Sequence, residues 1–247
     1  LSSFHINAQQ TKIYTHDNVS FLKALSLYKS EQYLASQAMF EKIKLESKDE
    51  NVKGDCAYYI ANCAVRLNQI NADDLMEEFV EEYPTSTKKN AAFNDVGDYY
   101  FTNSKYAYAL KWYDKVDETN LSNKEKEHYY FKKGYALFHS NQKKQAKKYF
   151  NLVSDSELYG SQAKYYLGFI AYQGDDYKEA SSYFDQVKDQ EKYQEKMAYF
   201  QADMNFKLGN FQKAIDLASQ RLPMASEAEE RSELNKIIGE SFFNLKE

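Results

Sequence analysis

Proline occurs twice and glycine eight times in the 247 residues, so few positions stop a helix, and long helices are expected to dominate. The two cysteines, Cys56 and Cys63, fall in a segment that reads as helix, which sets their Cα atoms about 10.5 Å apart. A disulfide tolerates less than about 7 Å. With no histidine or further cysteine at ligand spacing, they read as buried structural thiols. The mean hydropathy is −0.77 and no 18-residue apolar run occurs, so no segment reads as a direct membrane span. Positive charge is not in excess either: 32 Lys and Arg stand against 37 Asp and Glu, which gives no long-range attraction to nucleic acid. Signs of catalysis are missing. There is no glycine-rich phosphate loop or nucleophile elbow, and His5, His16, His128 and His139 form no pair four residues apart on a helix. No catalytic residue, cofactor or metal is therefore expected, and the chain is not read as an enzyme. Gly174, Asp175 and Asp176 supply only part of a calcium loop and read as a turn with a helix cap. Lys143, Lys144, Lys147 and Lys148 read as a solvated face balanced by nearby acids.

What is abundant is aromatic: 23 Tyr, 16 Phe and 1 Trp. They recur in a pattern. A small residue is followed 12 positions later by Ala or Ser and, 4 after that, usually by an aromatic ring. The clearest copies are Gly97, Ala109, Tyr113; Gly134, Ala146, Phe150; and Gly168, Ala180, Phe184. Weaker copies are Ala24, Ser36, Phe40 and Ala202, Ala214, Ala218, while Ala61 has Asp73 and Glu77 at the matching offsets. With Gly239, the small positions are separated by 37, 36, 37, 34, 34 and 37 residues. That period fits a unit of two helices.

The pattern resembles the tetratricopeptide repeat over roughly residues 18 to 247. That family has a period of about 34 residues, with a small residue, an alanine and an aromatic at these offsets and often a proline after the second helix. Pro84 and Pro223 keep that register, and Gly174 and Gly209 fall in turns within repeats. The resemblance implies an all-α, right-handed α-α superhelix of about 13 helices. Its parts are expected to be an N-terminal arm (1–17), six helix hairpins (18–231) and a terminal helix (232–247) that is either a cap or the first helix of a seventh repeat. Ser122 with Glu125, Asp176 with Glu179, and Ser226 with Glu229 have capping-box spacing at helix starts. Repeat two departs from the pattern and relies on Leu75, Met76 and Phe79, so its second helix is expected to be rotated or shorter. Gaps of 37 are expected to lengthen turns between repeats, for example around Asn120 to Lys124.

Within each first helix, the positions three before, one after and four after the small residue form one stripe. In tetratricopeptide repeats this stripe lines a concave groove that holds peptides. Here it supplies Phe21, Leu25 and Tyr28; Tyr58, Asn62 and Val65; Asn94, Asp98 and Phe101; Phe131, Tyr135 and Phe138; Tyr165, Phe169 and Tyr172; and Tyr199, Asp203 and Phe206. Repeats four and five are aromatic throughout, the composition of an interface core. The expected partner-binding residues are Tyr58, Phe101, Phe131, Tyr135, Phe138, Tyr165, Phe169, Tyr172, Tyr199 and Phe206. Packing between repeats competes for the same rings. The Lys, Arg and Asn set with which chaperone-binding members clamp a C-terminal carboxylate is not present.

The opening Leu1 to Gln10 looks like the tail of a secretory signal with Ala8 at the cleavage site. A periplasmic or outer-membrane-associated location is therefore expected, with the cytoplasm as the alternative. Phe79, Tyr83-Pro84-Thr85-Ser86, Ala92 and Gly97 are similar to a linker and following helix in repeat proteins of outer-membrane assembly and cell-division-associated envelope complexes. The combined expectation is a non-catalytic scaffold that binds a protein or peptide segment as part of an outer-membrane-associated complex. The alternative is a glycan-binding module of an outer-membrane uptake system, because tyrosine and phenylalanine rings also suit sugar faces.

Overall fold

The computed structural model describes residues 16–246, and among these the chain forms thirteen α-helices, two short 3-10 turns and no strand. The expected cleavage site at Ala8, and His5 with it, lie outside the described residues. The chain divides into two compact units, residues 1–121 and 122–247.

The first unit contains α1 (His16–Lys29), α2 (Tyr33–Glu46), α3 (Glu50–Arg66), α4 (Ala72–Glu82), α5 (Lys89–Thr102) and α6 (Tyr106–Tyr113). The second contains α7 (Asn123–His139), α8 (Lys143–Leu152), α9 (Gly160–Gln173), α10 (Tyr177–Asp185), α11 (Glu191–Lys207), α12 (Phe211–Arg221) and α13 (Ala228–Asn244). Within each unit successive helices pack as hairpins, and first helices also touch the next first helix, α3 on α5 and α9 on α11.

The helices form where the pattern places them because each hairpin closes on a small residue. Rings of the second helix lie across the glycines of the first: a Cβ at Gly97 would meet Tyr113 at 2.5 Å, and one at Gly134 would meet Phe150 at 3.2 Å. Ser36, Ala109, Ala146, Ala180 and Ala214, all fully buried, occupy the position one turn earlier on the second helix. Such close approach trades side-chain volume for dense contact between helix backbones.

Each hairpin turns on one residue of left-handed backbone: Glu31, Asn68, Ser104, Asn141, Asp175 and Gly209. All six stand seven places after their small residue, and Lys246 holds the same place after Gly239. At each of the six, its N–H bonds three residues back and the next N–H bonds five back, as from Asn141 to Phe138 and from Gln142 to Leu137. This is the Schellman ending, which satisfies carbonyls that the helix leaves open.

Repeat two shows why its pattern differed. Its second helix, α4, buries Ala72, Met76 and Phe79, each one place earlier than the equivalent residues elsewhere, while Asp73 and Glu77 turn outward and pair with Lys111 of α6 and with Lys115 just after it. The helix is rotated by one residue, about 100°. The gaps of 37 are absorbed in two ways, one of them the expected longer link. A 3-10 turn at Glu118–Asn120 lengthens the link after repeat three, but the extra length of repeat one extends α2 to 14 residues against nine in α10.

Ser122 and Glu125 form a complete capping box, and Asp176 accepts from the Glu179 N–H at 3.0 Å. The third expected box does not form. The N-cap of α13 is Glu227, with no side-chain cap bond, and Arg231 bonds back to the Ala225 and Ser226 carbonyls at 3.1 and 2.8 Å. The terminal helix thus begins at Ala228 rather than 232. Among the described residues no helix is long and apolar enough to cross a membrane.

Candidate functional site

In the first unit the stripe is largely committed to internal contacts. Tyr58 is 8% exposed, packs on Phe79 at 5.6 Å and donates its hydroxyl to Asp95. Burial pushes both groups up, the phenol and the Asp95 carboxyl, with the Tyr58 hydrogen bond opposing the shift at Asp95. Asn62 donates to the Tyr58 carbonyl and accepts from Arg66 at 2.8 Å. The Arg66 guanidinium in turn lies 5.1 Å from the ring centres of Tyr28 and Tyr99. Asp98 accepts from the Tyr113 hydroxyl at 2.7 Å, and Phe101, half-buried, meets Tyr106 edge-on at 5.8 Å. These positions hold repeats one to three together by a polar and cation–π network.

The second unit differs. Phe131 is 6% exposed and stacks on Tyr159 at 4.4 Å, so it is a contact between repeats and presents little surface. The remaining expected residues, Tyr135, Phe138, Tyr165, Phe169, Tyr172, Tyr199 and Phe206, are half-buried. Tyr135 leans on Tyr166 at 5.3 Å, and Phe138 meets both Tyr166 and Phe169 at 5.0 and 5.8 Å. Tyr165 stacks on Tyr193 at 4.8 Å, and Phe169 and Tyr172 meet Phe200 at 5.1 and 4.9 Å. Phe206 packs edge-on against Phe211 at 5.9 Å.

Tyr166 and Phe200 were not among the expected residues. Both stand two places before the small residue, and Tyr166 stacks at 5.1 Å on Phe150, the aromatic that ends the preceding hairpin. Tyr59 does the same with Phe40 at 4.9 Å. The recurrence of an aromatic at that offset was the available signal.

Polar groups punctuate the aromatic surface at its C-terminal end. The Tyr172 hydroxyl donates to Asp203 at 2.6 Å, and Lys207 reaches the same carboxylate at 2.8 Å while lying over the rings of Tyr172 and Tyr177. Burial and the Asp203 hydrogen bond both push the Tyr172 hydroxyl up. Tyr165, Phe169, Tyr199 and Phe200 floor a hollow of about 550 Å³ whose wall carries Arg221, Glu227, Glu229, Glu230 and Glu233. Of those acids, only Glu229 was read in the sequence, as a helix-start residue.

His128 shares a hydrogen bond with the Tyr159 hydroxyl, and His139 lies on the Tyr135 ring at 4.3 Å, where burial holds its pKa below the usual value. Among the described residues no group of three His, Cys, Asp or Glu could hold a metal ion. Asp175 takes the left-handed turn position, and Lys147 of the basic run pairs with Glu179 at 2.7 Å.

The sequence profile of the tetratricopeptide repeat matches residues 55–86, a span that covers most of α3 and the whole of the rotated α4. None of the curated proteins is significantly similar in sequence. Among solved structures, YrrB, described as a tetratricopeptide protein with an unusual peptide-binding site, superposes with a TM-score of 0.58 at 18% identity, over 80% of this chain and 97% of its own. The fold is that of the tetratricopeptide-repeat proteins. MamA (AMB-1) is similar with a TM-score of 0.52 at 18% identity, covering 71% of this chain and 92% of its own. PilF of Pseudomonas aeruginosa gives 0.52 at 13% identity, covering 89% and 96%. In the tetratricopeptide frame, α1 to α12 are six hairpins and α13 stands as a further first helix, with Ile237 buried and Phe243 83% exposed.

Proposed function

We propose that the chain is a protein-interaction scaffold that takes a partner segment in the aromatic hollow of its second unit. The observation that carries this reading is the continuous half-buried surface of Tyr165, Phe169, Tyr199 and Phe200, open over about 550 Å³. Rings of this size supply most of the affinity in interfaces, and a concave apolar surface is the form that excludes water around them. The tetratricopeptide fold supports the reading, as does YrrB, a neighbour of the same fold described by its peptide-binding site. Tyr135 and Phe138 extend the surface toward the start of the unit.

The same proposal places the scaffold in the bacterial envelope. Its support is the likeness of Phe79, Tyr83-Pro84-Thr85-Ser86, Ala92 and Gly97 to envelope repeat proteins. Fractionation of the native host with an antibody to the chain tests this part, and recovery from cytosol alone would overturn it.

For the binding site, Phe169→Ala with Tyr199→Ala is the informative double variant, because Tyr165 is already stacked on Tyr193. Partners cross-linked to wild-type and variant protein in envelope extract are compared, with circular dichroism confirming the fold. Loss of a partner supports the groove, and a folded variant that keeps every partner rejects it. Binding to a glycan array that the same substitutions abolish would move the assignment to carbohydrate.

A further inference from the structure

The wall of the hollow is acidic, and its acids are mostly unspent. Glu230 is bound by Arg221 through two hydrogen bonds of 2.8 and 3.2 Å, which neutralises the cation on the rim. Among the described residues no cation pairs with Glu227, Glu229 or Glu233. Acids in the first turn of a helix gain from its dipole, and Glu229 and Glu230 have that explanation. Glu233 does not. It stands beyond the first turn, where the dipole has faded, and still lines the hollow beside Tyr199. Its charge, with that of Asp203, adds to burial in raising the Tyr199 hydroxyl.

The protein fills a similar arrangement with its own residue nearby. Lys207 lies 5.1 and 4.9 Å from the ring centres of Tyr172 and Tyr177 and sets its ammonium on Asp203. Carboxylate and ring faces together hold a cation there, by charge and by the ring quadrupole. In the hollow, the same two elements line one surface, and the cation described among its lining residues, Arg221, is bound to Glu230.

We propose that the hollow binds a cationic peptide segment, with a lysine or arginine stem across Tyr199 and Phe200 and its charged head against Glu229 and Glu233. This rests on the groove reading above and narrows it to a partner of one charge. An acidic segment would meet uncompensated carboxylates, and a neutral one would leave them unpaired against a partly dry surface.

The test uses the full chain and two fluorescent peptides of roughly ten residues, one alternating lysine with leucine and one alternating glutamate with leucine, followed by anisotropy at low and moderate salt. The basic peptide is expected to bind at least about tenfold more tightly than the acidic one, and to weaken as salt screens the pairs. Glu229→Gln with Glu233→Gln, both exposed and compared with the wild type at a temperature where both are folded by circular dichroism, should cost the basic peptide roughly tenfold. Equal binding of both peptides, or a basic peptide indifferent to the glutamine variant, overturns the cationic assignment. If Phe169→Ala with Tyr199→Ala then still abolishes both, the groove itself stands. Binding of neither peptide overturns this proposal. Self-association by light scattering that the glutamine substitutions abolish would give the surface to a second copy and overturn it as well.

Discussion

The ring of Phe184 lies across the backbone of Gly168, so that a Cβ there would stand 2.6 Å from Cε1. Phe184 is fully buried against Val187, Tyr193 and Met197 and has nowhere to retreat. Gly168→Ala should therefore destabilise the protein by about 1 to 3 kcal/mol, the range for an overpacked core. Gly97→Ala should do the same against Tyr113, where the Cβ would approach to 2.5 Å, and Gly134→Ala less, at 3.2 Å. Gly239 has nothing within 4 Å of the same added atom. In the interior of α13, Gly239→Ala should instead stabilise by about 0.5 to 1 kcal/mol through helix propensity. Urea melts of the four variants read the order directly. A stabilising Gly168→Ala would show that the small position is not the contact that sets hairpin spacing.

The left-handed turns give a second ranking with little packing involved. A Cβ at Gly209 would touch nothing, yet its φ of +77° strains any other residue. Gly209→Ala should lose about 1 kcal/mol. Ser104, at φ 57°, already carries that strain, and Ser104→Gly should gain about 0.5 to 1 kcal/mol. Opposite shifts in thermal midpoint are expected, and shifts of the same sign would contradict the assignment of strain to the turn.

The repeat was legible because two constraints coincide on it. Gly97, Gly134 and Gly168 face rings sixteen residues on, and alanines sit one turn before those rings. The turn residue also falls at a fixed offset, but its type varies from Glu31 to Gly209 and gave no signal. Repeat two was less legible because its hairpin changes register: Ala72 and Met76 do in α4 what residues one place later do elsewhere, and Asp73 and Glu77 become surface acids. The stripe along the first helices was read equally well in all repeats, but sequence alone could not divide exposed rings from packed ones. Phe131 and Tyr199 hold the same repeat position, and Tyr159 covers the first while the second opens on the hollow. The acids on α13 went unrecognised because a helix start and a binding wall call for the same residue type.

Cys56 and Cys63 are fully buried, and burial pushes their thiols up to about 12 and about 11 respectively. An unfolded chain would ionise them near pH 8.5. The folded state therefore holds its protons longer, so the stabilisation is complete below that value and is lost as pH rises through the folded pKa. The buried Tyr58 phenol, also raised, adds to the loss above about pH 10. Stability measured by urea should be level from pH 7 to 8 and fall from about pH 9 upward. The double substitution Cys56→Ala, Cys63→Ala should make the first part of that fall shallower. A thiol reagent at pH 8 should label the native protein far more slowly than the unfolded chain. Rapid native labelling would contradict the buried thiols.

Phe131 and Tyr199 separate support from recognition, since they share a repeat position but not an environment. Phe131 is enclosed by Phe150, Tyr135 and the stacked ring of Tyr159. Phe131→Ala should cost about 3 to 5 kcal/mol, the usual loss on emptying a buried phenylalanine site, and any loss of binding should follow from unfolding. Tyr199 is half-buried with one side on the hollow, and its ring meets Phe200 edge-on at 5.6 Å. Tyr199→Ala should cost less than Phe131→Ala in a urea melt. In binding to the basic peptide it should cost about 2 kcal/mol, as a central aromatic anchor does. The comparison is made at a temperature where both variants are folded by circular dichroism. If Phe131→Ala weakens binding while fully folded and Tyr199→Ala does not, recognition lies on another face.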